Sequence, residues 1–539
     1  MSFDWTAGYP SRRMPVFGRN VVSTSHPLGA QAGLRMIHQG GNAVDAAIAA
    51  AAVMALVEPC SNGLGSDAFC ILWDGTRLHG LNGSGGAPAA WTPDYFARKY
   101  GEGRERPPVR GWDSVTVPGA IGSWVALSER FGRLPFADLL APAIEIAERG
   151  SAVPTVVQGK WAAAAREPKI VGQPGFRDLF LPKGRAPEVG ERFAMPGAAR
   201  MLRAVAETGG EALYGGEIAE AVAANARENG GAMTAADLAR FKPQWVEPIE
   251  RAYRGYVAHE IPPNGQGIAA LIALGILDRF DLAELAADGV DAAHLQIEAM
   301  KIAFADTYAH VADLEHMRVT PAELLDHSQL AELAKRIDPR RAQSFSPRAF
   351  PSGGTIYLTA ADESGMMVSF IQSNFMGFGS GVCLPEWGLS LQNRGHGFHL
   401  AAGHANVVAP GKRPFQTIIP GFLTKDGQPV MSFGVMGANM QPQGHVQTLV
   451  RMIDFGQNPQ AACDAPRWRV NAGLDLNVEA TMASSLAEGL VARGHELSVI
   501  EDSYQDFGAG QFIWRLGDPA VDGYAAASDS RRDGYAAVS

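Results

Sequence analysis

The sequence is poor in cysteine, and this limits the kinds of fold available to it. Its four cysteines, Cys60, Cys70, Cys383 and Cys463, lie far apart among 539 residues. They show neither the close pairing of a metal site nor the density of a disulfide framework. A small disulfide-stabilised scaffold is therefore excluded, and a reducing compartment is indicated.

Positive charge is also scarce. Lysine and arginine together number 46, against 56 aspartate and glutamate residues, which leaves a net charge of −10. Binding to nucleic acid requires a basic face, so we expect no nucleic-acid partner. With 46% hydrophobic and 19% charged residues, the composition is that of a folded protein and not of a disordered chain.

Long apolar stretches are absent as well. The most apolar segment, Ala43–Val57, is interrupted by Asp45 and is shorter than the roughly 20 residues that cross a bilayer. Met1–Pro15 is polar and lacks the apolar core of a signal peptide. We therefore expect a soluble, cytoplasmic protein without a membrane partner.

Helices are predicted for most of the first two-thirds of the chain. Gln31–Gln39 and Ala43–Val57 are predicted helices separated by glycines, with Asn42 as the N-cap of the second. From about residue 134 to 340 the chain is again mostly helical, as in Glu217–Glu228 and Ala292–Val311.

The last third of the chain is predicted to be rich in strands. Arg341–Gly354 is polar and contains prolines and glycines, which indicates an exposed linker. Thr355–Ala361 and Met366–Ser373 are predicted strands joined by a turn, and Thr417–Thr424 and Val430–Val435 are two more. Helices and strands in this proportion favour a mixed, layered α+β domain.

Common catalytic signatures are missing. There is no G-x-S-x-G elbow, no P-loop and no H-E-x-x-H motif. His396, His399 and His404 lie close in sequence, but no carboxylate or cysteine accompanies them, so loop or surface histidines are favoured over a metal site. We expect neither a metal nor another cofactor.

The junction of the linker and the first predicted strand offers a different chemistry. A threonine hydroxyl such as that of Thr355 is a weak nucleophile without an adjacent base. Cutting the Gly354–Thr355 bond would give Thr355 a free α-amine with a pKa of about 7.7–8.0, which suits a general base. By itself, a glycine-rich loop followed by a strand that begins with threonine is more often a structural feature. The motifs around this junction favour Thr355 as a nucleophile.

Motifs along nearly the whole chain resemble, in order, those of the gamma-glutamyltranspeptidase family. Each is short, but their common order is specific. The motifs are Gly40–Ala47, Glu58-Pro59 with Gly63–Gly65, Val117–Gly119, Tyr253–Tyr256, Pro262-Pro263 with Gly267, Glu298–Asp306, Thr355–Asp362, Met367–Asn374, Gly377–Gly381, Pro410–Pro414 and Gly434–Ala438.

The resemblance implies a four-layer αββα sandwich of the N-terminal-nucleophile hydrolase type. It implies self-cleavage into a large fragment, 1–354, and a small fragment, 355–539, that stay associated as one intertwined unit. Thr355 would attack an amide carbonyl, and water or an amine would resolve the acyl-enzyme. Ser373 falls where the family usually has a threonine that supports the nucleophile, and Asn374 beside it is a candidate to hold the substrate.

The resemblance also assigns the oxyanion hole, with a departure from the family. Two successive backbone N–H groups form it in the family at a Gly-Gly pair, which here is Gly437-Ala438. The methyl group of Ala438 is a difficulty if that residue needs a positive φ. Where the family has a Ser-Ser pair that contacts the substrate, this chain has Gln416-Thr417.

Both halves of the family's glutamyl clamp are missing. No arginine precedes Ala87-Pro88, and Gly397 stands where an acidic residue normally precedes the phenylalanine. Arg394 instead adds a positive charge close to where the family would face an ammonium group. We therefore hypothesise an acyl group that is neutral or carries a carboxylate but no α-amine; a structural role for Arg394 is equally consistent with the sequence.

Three functions remain open on the sequence. The leading one is a self-processing amidase or acyltransferase centred on Thr355. The first alternative is a cephalosporin- or glutaryl-type acylase in the same fold, and the second is a catalytically silent relative that binds or scaffolds. The expected partners are an amide substrate, water or an amine acceptor, and the two fragments themselves; homo-oligomerisation is left open.

Overall fold

Two seven-stranded antiparallel sheets lie at the centre of the molecule. The coordinates are those of a computed structural model, which describes residues 12–345, 354–502 and 506–539. Sheet I contains, in spatial order, β21 (Tyr535–Val538), β2 (Val21–Thr24), β10 (Gly354–Ala361), β11 (Met367–Phe375), β3 (Asp67–Trp73), β4 (Leu78–Gly83) and β7 (Gln244–Val246). Sheet II contains β1 (Val16–Gly18), β20 (Tyr524–Ser528), β19 (Ala509–Arg515), β15 (Gln428–Met436), β14 (Gly421–Lys425), β9 (Tyr256–Glu260) and β8 (Ile249–Tyr253).

Smaller sheets and helices surround this centre. The smaller sheets are β5 (Ser151–Ala152) with β6 (Arg192–Phe193), β12 (Cys383–Leu384) with β13 (Leu389–Ser390), and β16 (Trp468–Ala472) with β17 (Asp475–Glu479) and β18 (Glu496–Ile500). The helices are α1 (Pro27–His38), α2 (Ala43–Val57), α3 (Pro93–Tyr100), α4 (Ala120–Phe131), α5 (Phe136–Arg149), α6 (Thr155–Ala164), α7 (Pro168–Val171), α8 (Phe176–Phe180), α9 (Pro196–Thr208), α10 (Glu211–Tyr214), α11 (Glu217–Glu228), α12 (Ala235–Ala239), α13 (Ile268–Leu277), α14 (Val290–His310), α15 (Pro321–Leu324), α16 (His327–Ala334), α17 (Met440–Ile453), α18 (Pro459–Asp464) and α19 (Ser484–Ala492).

Alternating side chains of the central strands create four layers. In β10, Ile356 and Leu358 face a core shared with α1, α2, α4, α5 and α9, whereas Tyr357 faces a second core between the two sheets. In sheet II, Phe422 points into the core between the sheets, and its neighbour Leu423 packs against α13, α14 and α17. This period of two is that of a strand with both faces buried. The predicted αββα sandwich is confirmed.

The helix α2 supports the middle of sheet I. Asn42 accepts from the backbone N–H groups of Val44 and Asp45, and the Asp45 carboxylate accepts from the N–H of Asn42, which completes a capping box. Every residue of α2 is buried, because its small alanines allow close packing on all sides. The predicted bounds and N-cap of this helix are confirmed.

Two predicted boundaries are wrong for local reasons. The first helix begins at Pro27 and not at Gln31, because the His26 side chain caps it and proline suits its first turn. The strand predicted from Thr417 begins only at Gly421. The backbone groups just before Gly421 bind side chains and not a neighbouring strand. The Thr417 carbonyl accepts a hydrogen bond from Gln266, and the Ile419 N–H donates one to Gln441.

Residues before and after position 354 contribute strands to both sheets. The first part of the chain supplies four strands of sheet I and three of sheet II. The part of the chain before residue 354 therefore contributes strands as well as helices. Its strands pair with strands from the last third of the chain. No helix within the described ranges is both long and apolar enough to cross a membrane.

Candidate active site

A β-bulge sets the position of Thr355. Strands β10 and β11 pair in regular register from Ala361 to Ile356, and the register then shifts so that Gly354 lies opposite Phe375. Thr355 alone therefore faces two residues of β11, Ser373 and Asn374. Bulges of this kind redirect a side chain out of the regular sheet pattern.

The hydroxyl groups of Thr355 and Ser373 are in direct contact. Thr355 Oγ1 donates to Ser373 Oγ at 3.0 Å, and Ser373 Oγ donates to the Gly354 carbonyl at 2.7 Å. The Phe375 N–H also donates to Ser373 Oγ, at 2.8 Å. Ser373 thus links the candidate nucleophile to the carbonyl that it would attack, and Thr355 itself is only 2% exposed.

Gly354 lies in a space that admits no side chain. A Cβ on this residue would come within 2.8 Å of the Cys60 carbonyl oxygen and 2.9 Å of Ser61 Cα. Because both atoms belong to the backbone, the clash cannot be relieved by a side-chain rotation. The residue on the acyl side of the Gly354–Thr355 bond is therefore restricted to glycine.

Gly437 and Ala438 follow the end of β15 and have the backbone of an anion-binding turn. Their φ angles are +122° and +52°. Among the described residues, no acceptor takes a hydrogen bond from either backbone N–H. Two adjacent free donors are what an oxyanion hole requires. Ala438 adopts the left-handed conformation, so its methyl group does cause the backbone strain that the sequence indicated.

Replacing Ala438 with glycine is expected to stabilise the protein by about 0.5–1 kcal/mol, because it removes the strain of an alanine at positive φ. The measurement is the free energy of unfolding in denaturant. Ala461→Gly, at an exposed position in α18, is the control and should destabilise by about 1 kcal/mol. A loss of stability in Ala438→Gly similar to that of the control would contradict the strain.

Gln266 connects this turn to the rest of the site. Its Nε2 donates to the Ala438 carbonyl at 2.9 Å and to the Thr417 carbonyl at 2.7 Å. Sequence reasoning missed this residue, although it lies inside the Pro262–Gly267 motif. It holds the candidate oxyanion turn and the candidate substrate wall at a fixed separation.

Arg394 lies in that wall and is completely buried. Its NH1 donates to Thr417 Oγ1 at 2.8 Å, and the guanidinium carbon lies 4.8 Å from the centre of the Phe375 ring. Nε and NH2 have no hydrogen-bond partner among the described residues. Burial lowers the pKa of Arg394 to about 9, and the charge of Asp67 partly offsets this effect.

Asp67, which sequence reasoning did not select, interacts electrostatically with Arg394. Burial raises its pKa to about 7, and Arg394 opposes the shift. Gln416 Nε2 donates to the Asp67 carboxylate at 2.6 Å and to Ser84 Oγ at 3.1 Å. Asp67 also pairs with Ser373 in the register of β3 and β11. Of the predicted substrate residues, Gln416 therefore contacts the Asp67 carboxylate directly, and Arg394 contacts Thr417.

Asn374 faces a different part of the wall. Its Oδ1 accepts from Ser66 Oγ at 2.8 Å, while its Nδ2 has no partner among the described residues. Phe375, the next residue of β11, covers Arg394 with its ring. The amide donor available to a substrate is thus the one on Asn374.

A cavity of about 250 Å³ opens beside the junction. Gly354, Gly437 and Gly508 line it together with four charged residues. The charged residues are Arg110, Lys160, Glu167 and Arg532. They come from three separated parts of the chain, which is why the sequence offered no signal for them.

Histidines form two groups away from the junction. His399 and His404 stack with ring centres 3.7 Å apart, and His396 lies against the Pro107 carbonyl. Among the described residues, a metal-type cluster occurs instead at His294, Glu298 and His495. Its centre is taken by the Lys301 ammonium, which donates to Glu298 at 2.8 Å and approaches His495 at 3.4 Å.

Known proteins are similar to this chain in sequence and in fold. The sequence model described as gamma-glutamyltranspeptidase matches residues 29–539. The glutathione hydrolase-like YwrD proenzyme of Bacillus subtilis (strain 168) is 34% identical over 493 residues, covering 90% of this chain and 92% of that protein. The oxamate amidohydrolase proenzyme of Klebsiella pneumoniae is 34% identical over 525 residues, covering 95% and 97%. The crystal structure of cephalosporin acylase from Bacillus halodurans superimposes with a TM-score of 0.94 and 47% identity, covering 100% of this chain and 99% of that one.

Proposed function

The chain belongs to the gamma-glutamyltranspeptidase family of self-processing amidases and acyltransferases, and from that premise we propose Thr355 as its nucleophile. The observation that carries the proposal is the hydrogen-bonded path from Thr355 Oγ1 through Ser373 Oγ to the Gly354 carbonyl. The resemblance inferred from the motifs and the assignment as an enzyme are confirmed by the same comparisons.

Self-cleavage follows from this contact. Thr355 Oγ1 attacks the Gly354 carbonyl carbon, whose oxygen already accepts a hydrogen bond from Ser373. The Gly354–Thr355 C–N bond breaks as the nitrogen takes up a proton, which leaves Gly354 joined to Thr355 through an ester. Water then hydrolyses the ester, releasing the carboxylate of Gly354. The products are Met1–Gly354 and Thr355–Ser539, held together by the two shared sheets.

Turnover uses the group that self-cleavage creates. The free α-amine of Thr355 takes the proton of its own hydroxyl, and the oxygen attacks a substrate amide. The backbone N–H groups of Gly437 and Ala438 stabilise the oxyanion. The amine product leaves with a proton, and water or a second amine then releases the acyl group.

The acyl-enzyme gives a direct test of this role. The purified protein is mixed with a carboxyacyl anilide, quenched in acid within one turnover, and analysed by intact mass spectrometry. We expect a fragment that begins at Thr355 and carries the mass of the acyl group, with the large fragment unmodified. An uncut chain, or an acyl group on the large fragment, would contradict the proposal and favour a silent binding or scaffold relative.

We propose Asn374, Arg394, Gln416 and Thr417 as the substrate-binding wall. The sequence suggested that Arg394 holds a carboxylate through its charge. Its burial and the unpartnered Nε and NH2 groups support a different contribution, in which these groups donate hydrogen bonds to the substrate. Such a wall suits a neutral polar part of the substrate.

Arg394→Met is therefore expected to lower kcat/KM about tenfold or more, and by a similar factor for a carboxyacyl anilide and for its uncharged carboxamide analogue. The two hydrolysis rates are measured side by side by anilide release. The double variant Asp67→Asn/Arg394→Met is the control, because it removes both charges and should recover stability lost in the single variant. If Arg394→Met lowered kcat/KM only for the carboxyacyl anilide, Arg394 would instead recognise the substrate carboxylate through its charge.

A cephalosporin-type acylase remains the second candidate function. The missing glutamyl clamp favours a cephalosporin-type acylase. Ser84 lies near the position of the family's clamping arginine, and its hydroxyl oxygen accepts hydrogen bonds from Gln416 and Asn264. A Cβ on Gly397 would come within 2.8 Å of the Phe415 carbonyl oxygen. The structural neighbour named as a cephalosporin acylase points the same way. The missing clamp disfavours ordinary gamma-glutamyl transfer; the cytoplasmic location stays an untested prediction, and homo-oligomerisation is still open.

A further inference from the structure

A buried asparagine directly follows the oxyanion turn. Gly437 and Gly354 line the same cavity, so the turn lies beside the junction. Asn439 comes immediately after Ala438, at the N-cap position of α17. An asparagine at this position normally accepts a hydrogen bond from the first turn of its helix, but the side chain of Asn439 makes no such bond within the described part of the chain. The side chain is completely buried, and starting the helix does not account for it.

One end of the Asn439 amide is held, and the other end has no partner. Nδ2 donates to the hydroxyl of Tyr308, on α14. Oδ1 accepts no hydrogen bond from any described residue. The backbone carbonyl of Asn439 accepts from Gln443 Nε2 at 3.0 Å, which fixes the residue in place. A buried oxygen without a donor costs about 1–3 kcal/mol, so its presence beside an oxyanion turn points to a donor that the substrate supplies.

The nitrogen of the amide under attack carries such a donor. In the tetrahedral intermediate the oxyanion binds the N–H groups of Gly437 and Ala438, and the former amide nitrogen is attached to the same carbon. The C–N bond is then a single bond, so the nitrogen can turn its N–H toward an acceptor. With the N–H held in this way, the lone pair of the nitrogen is left to take a proton from the protonated amine of Thr355.

We propose that Asn439 Oδ1 accepts the N–H of the leaving nitrogen in the tetrahedral intermediate, so that amides of primary amines are the preferred substrates. This inference rests on the proposed role of Thr355. The Thr355 ammonium gives its proton to the nitrogen, the C–N bond breaks, and the primary amine leaves while the acyl group stays on Thr355 Oγ1. Asn439 exchanges no proton. Because the bond forms only in the intermediate, it accelerates the chemical step.

A cavity beside Tyr308 provides space for the rest of the leaving amine. Its volume is about 450 Å³, within the range of about 300–1,000 Å³ of small-molecule sites. Tyr308 and Phe415 line it, with their ring centres 5.7 Å apart. Phe415 directly precedes Gln416 of the substrate wall, and Tyr308 holds Asn439. A substituent on the leaving nitrogen therefore extends between these rings, which suits an aromatic amine.

An amide and an ester of the same acyl group separate this role from a structural one. The substrates are the carboxyacyl anilide of the acyl-enzyme test and the corresponding phenyl ester, whose leaving oxygen carries no hydrogen. Asn439→Leu should lower kcat/KM for the anilide about tenfold or more, because one hydrogen bond to the intermediate is lost. For the ester, kcat/KM should stay within about twofold of the parent value. Both substrates give the same acyl-enzyme, so kcat/KM compares their acylation steps.

Three further variants serve as controls. Asn439→Asp keeps an oxygen acceptor and should keep the parent ratio of anilide to ester kcat/KM, although its charge opposes the oxyanion and slows both reactions. Gln447→Leu removes another buried amide of α17, one that binds the backbone of Trp468, and should change both rates by the same factor. Tyr308→Phe releases Nδ2 of Asn439 and should lower the ratio, but less than Asn439→Leu does.

The outcomes distinguish this inference from the function on which it rests. Equal losses on the anilide and the ester in Asn439→Leu, or no loss on either, would overturn the role of Asn439. Retained ester hydrolysis shows that the variant is folded. If the parent chain forms no acyl-enzyme on the small fragment, the proposed function has failed. If it forms one and the ratio of anilide to ester is unchanged in Asn439→Leu, only the role of Asn439 has failed.

The N-methylanilide gives an independent readout, because its nitrogen has no hydrogen to donate. The parent protein should prefer the anilide over the N-methylanilide. In Asn439→Leu this preference should shrink by about tenfold or more, the same factor as the loss on the anilide. The two values of kcat/KM are measured by release of aniline and of N-methylaniline. A preference that is the same in the parent and in Asn439→Leu would contradict the hydrogen bond to the leaving nitrogen.

Discussion

Replacing Thr355 with alanine is expected to leave a single uncut chain of 57.2 kDa and to abolish amide hydrolysis. The variant loses the hydroxyl that attacks the Gly354 carbonyl, and without the cut Thr355 has no free amine to act as a base. We expect a fall in activity of at least about a thousandfold. Denaturing gels and intact mass spectrometry give the cleavage result, and anilide release gives the rate.

Two variants on the same residue and the same strand serve as controls. Thr355→Ser keeps a hydroxyl group and should still be cut, although the rate can differ. Thr359→Val changes a buried threonine of β10 whose hydroxyl binds the Val368 carbonyl and Ser432, away from the junction; this variant should be cut like the parent. Two fragments from Thr355→Ala would show that another residue is the nucleophile.

Removing the hydroxyl of Ser373 should have the second largest effect. Ser373→Ala deletes the donor to the Gly354 carbonyl and the acceptor for Thr355 Oγ1. Loss of one positioned donor typically slows acyl chemistry by about 100- to 1,000-fold. We therefore expect the uncut chain to accumulate after synthesis and to mature over hours, with the time course followed on gels.

The control for Ser373 separates chemistry from packing. Ser369 lies on the same strand and binds the Tyr357 hydroxyl and the Phe433 carbonyl, so Ser369→Ala also removes a buried hydroxyl but leaves the junction intact. It should lose stability without slowing the cut. Ser373→Thr restores a hydroxyl and should recover cleavage. Equal cleavage rates in Ser369→Ala and Ser373→Ala would assign Ser373 a structural role only.

Much of the junction could be predicted because its determinants are local. The turn at Asp362–Gly365 and the spacing of Thr355 and Ser373 place the two residues across a hairpin, and the structure brings their hydroxyls to 3.0 Å. The bulge was not predicted, because it depends on Phe375 at φ +75°, and no pattern of residue types demands that conformation.

Other parts of the site were beyond the sequence because they combine distant segments. Gln266 reaches Thr417 and Ala438 from more than a hundred residues away. Asp67 comes to lie opposite Ser373 only through the pairing of β3 and β11. The charge of Arg394 could be seen in the sequence, whereas the carboxylate that acts on its pKa could not.

The sequence by itself determined the family, the layered α+β fold, the junction at Gly354-Thr355 and the central helix α2, since each depends on a motif or on neighbouring residues. Only the tertiary structure decided which charged side chains share the cavity beside the junction. Lys160, Arg110 and Arg532 meet in one cavity because α6, the loop before α4 and the segment before β21 converge beside the end of β10. Folding removes water from such side chains and sets the distances between their charges, and both effects depend on contacts that residue order does not reveal.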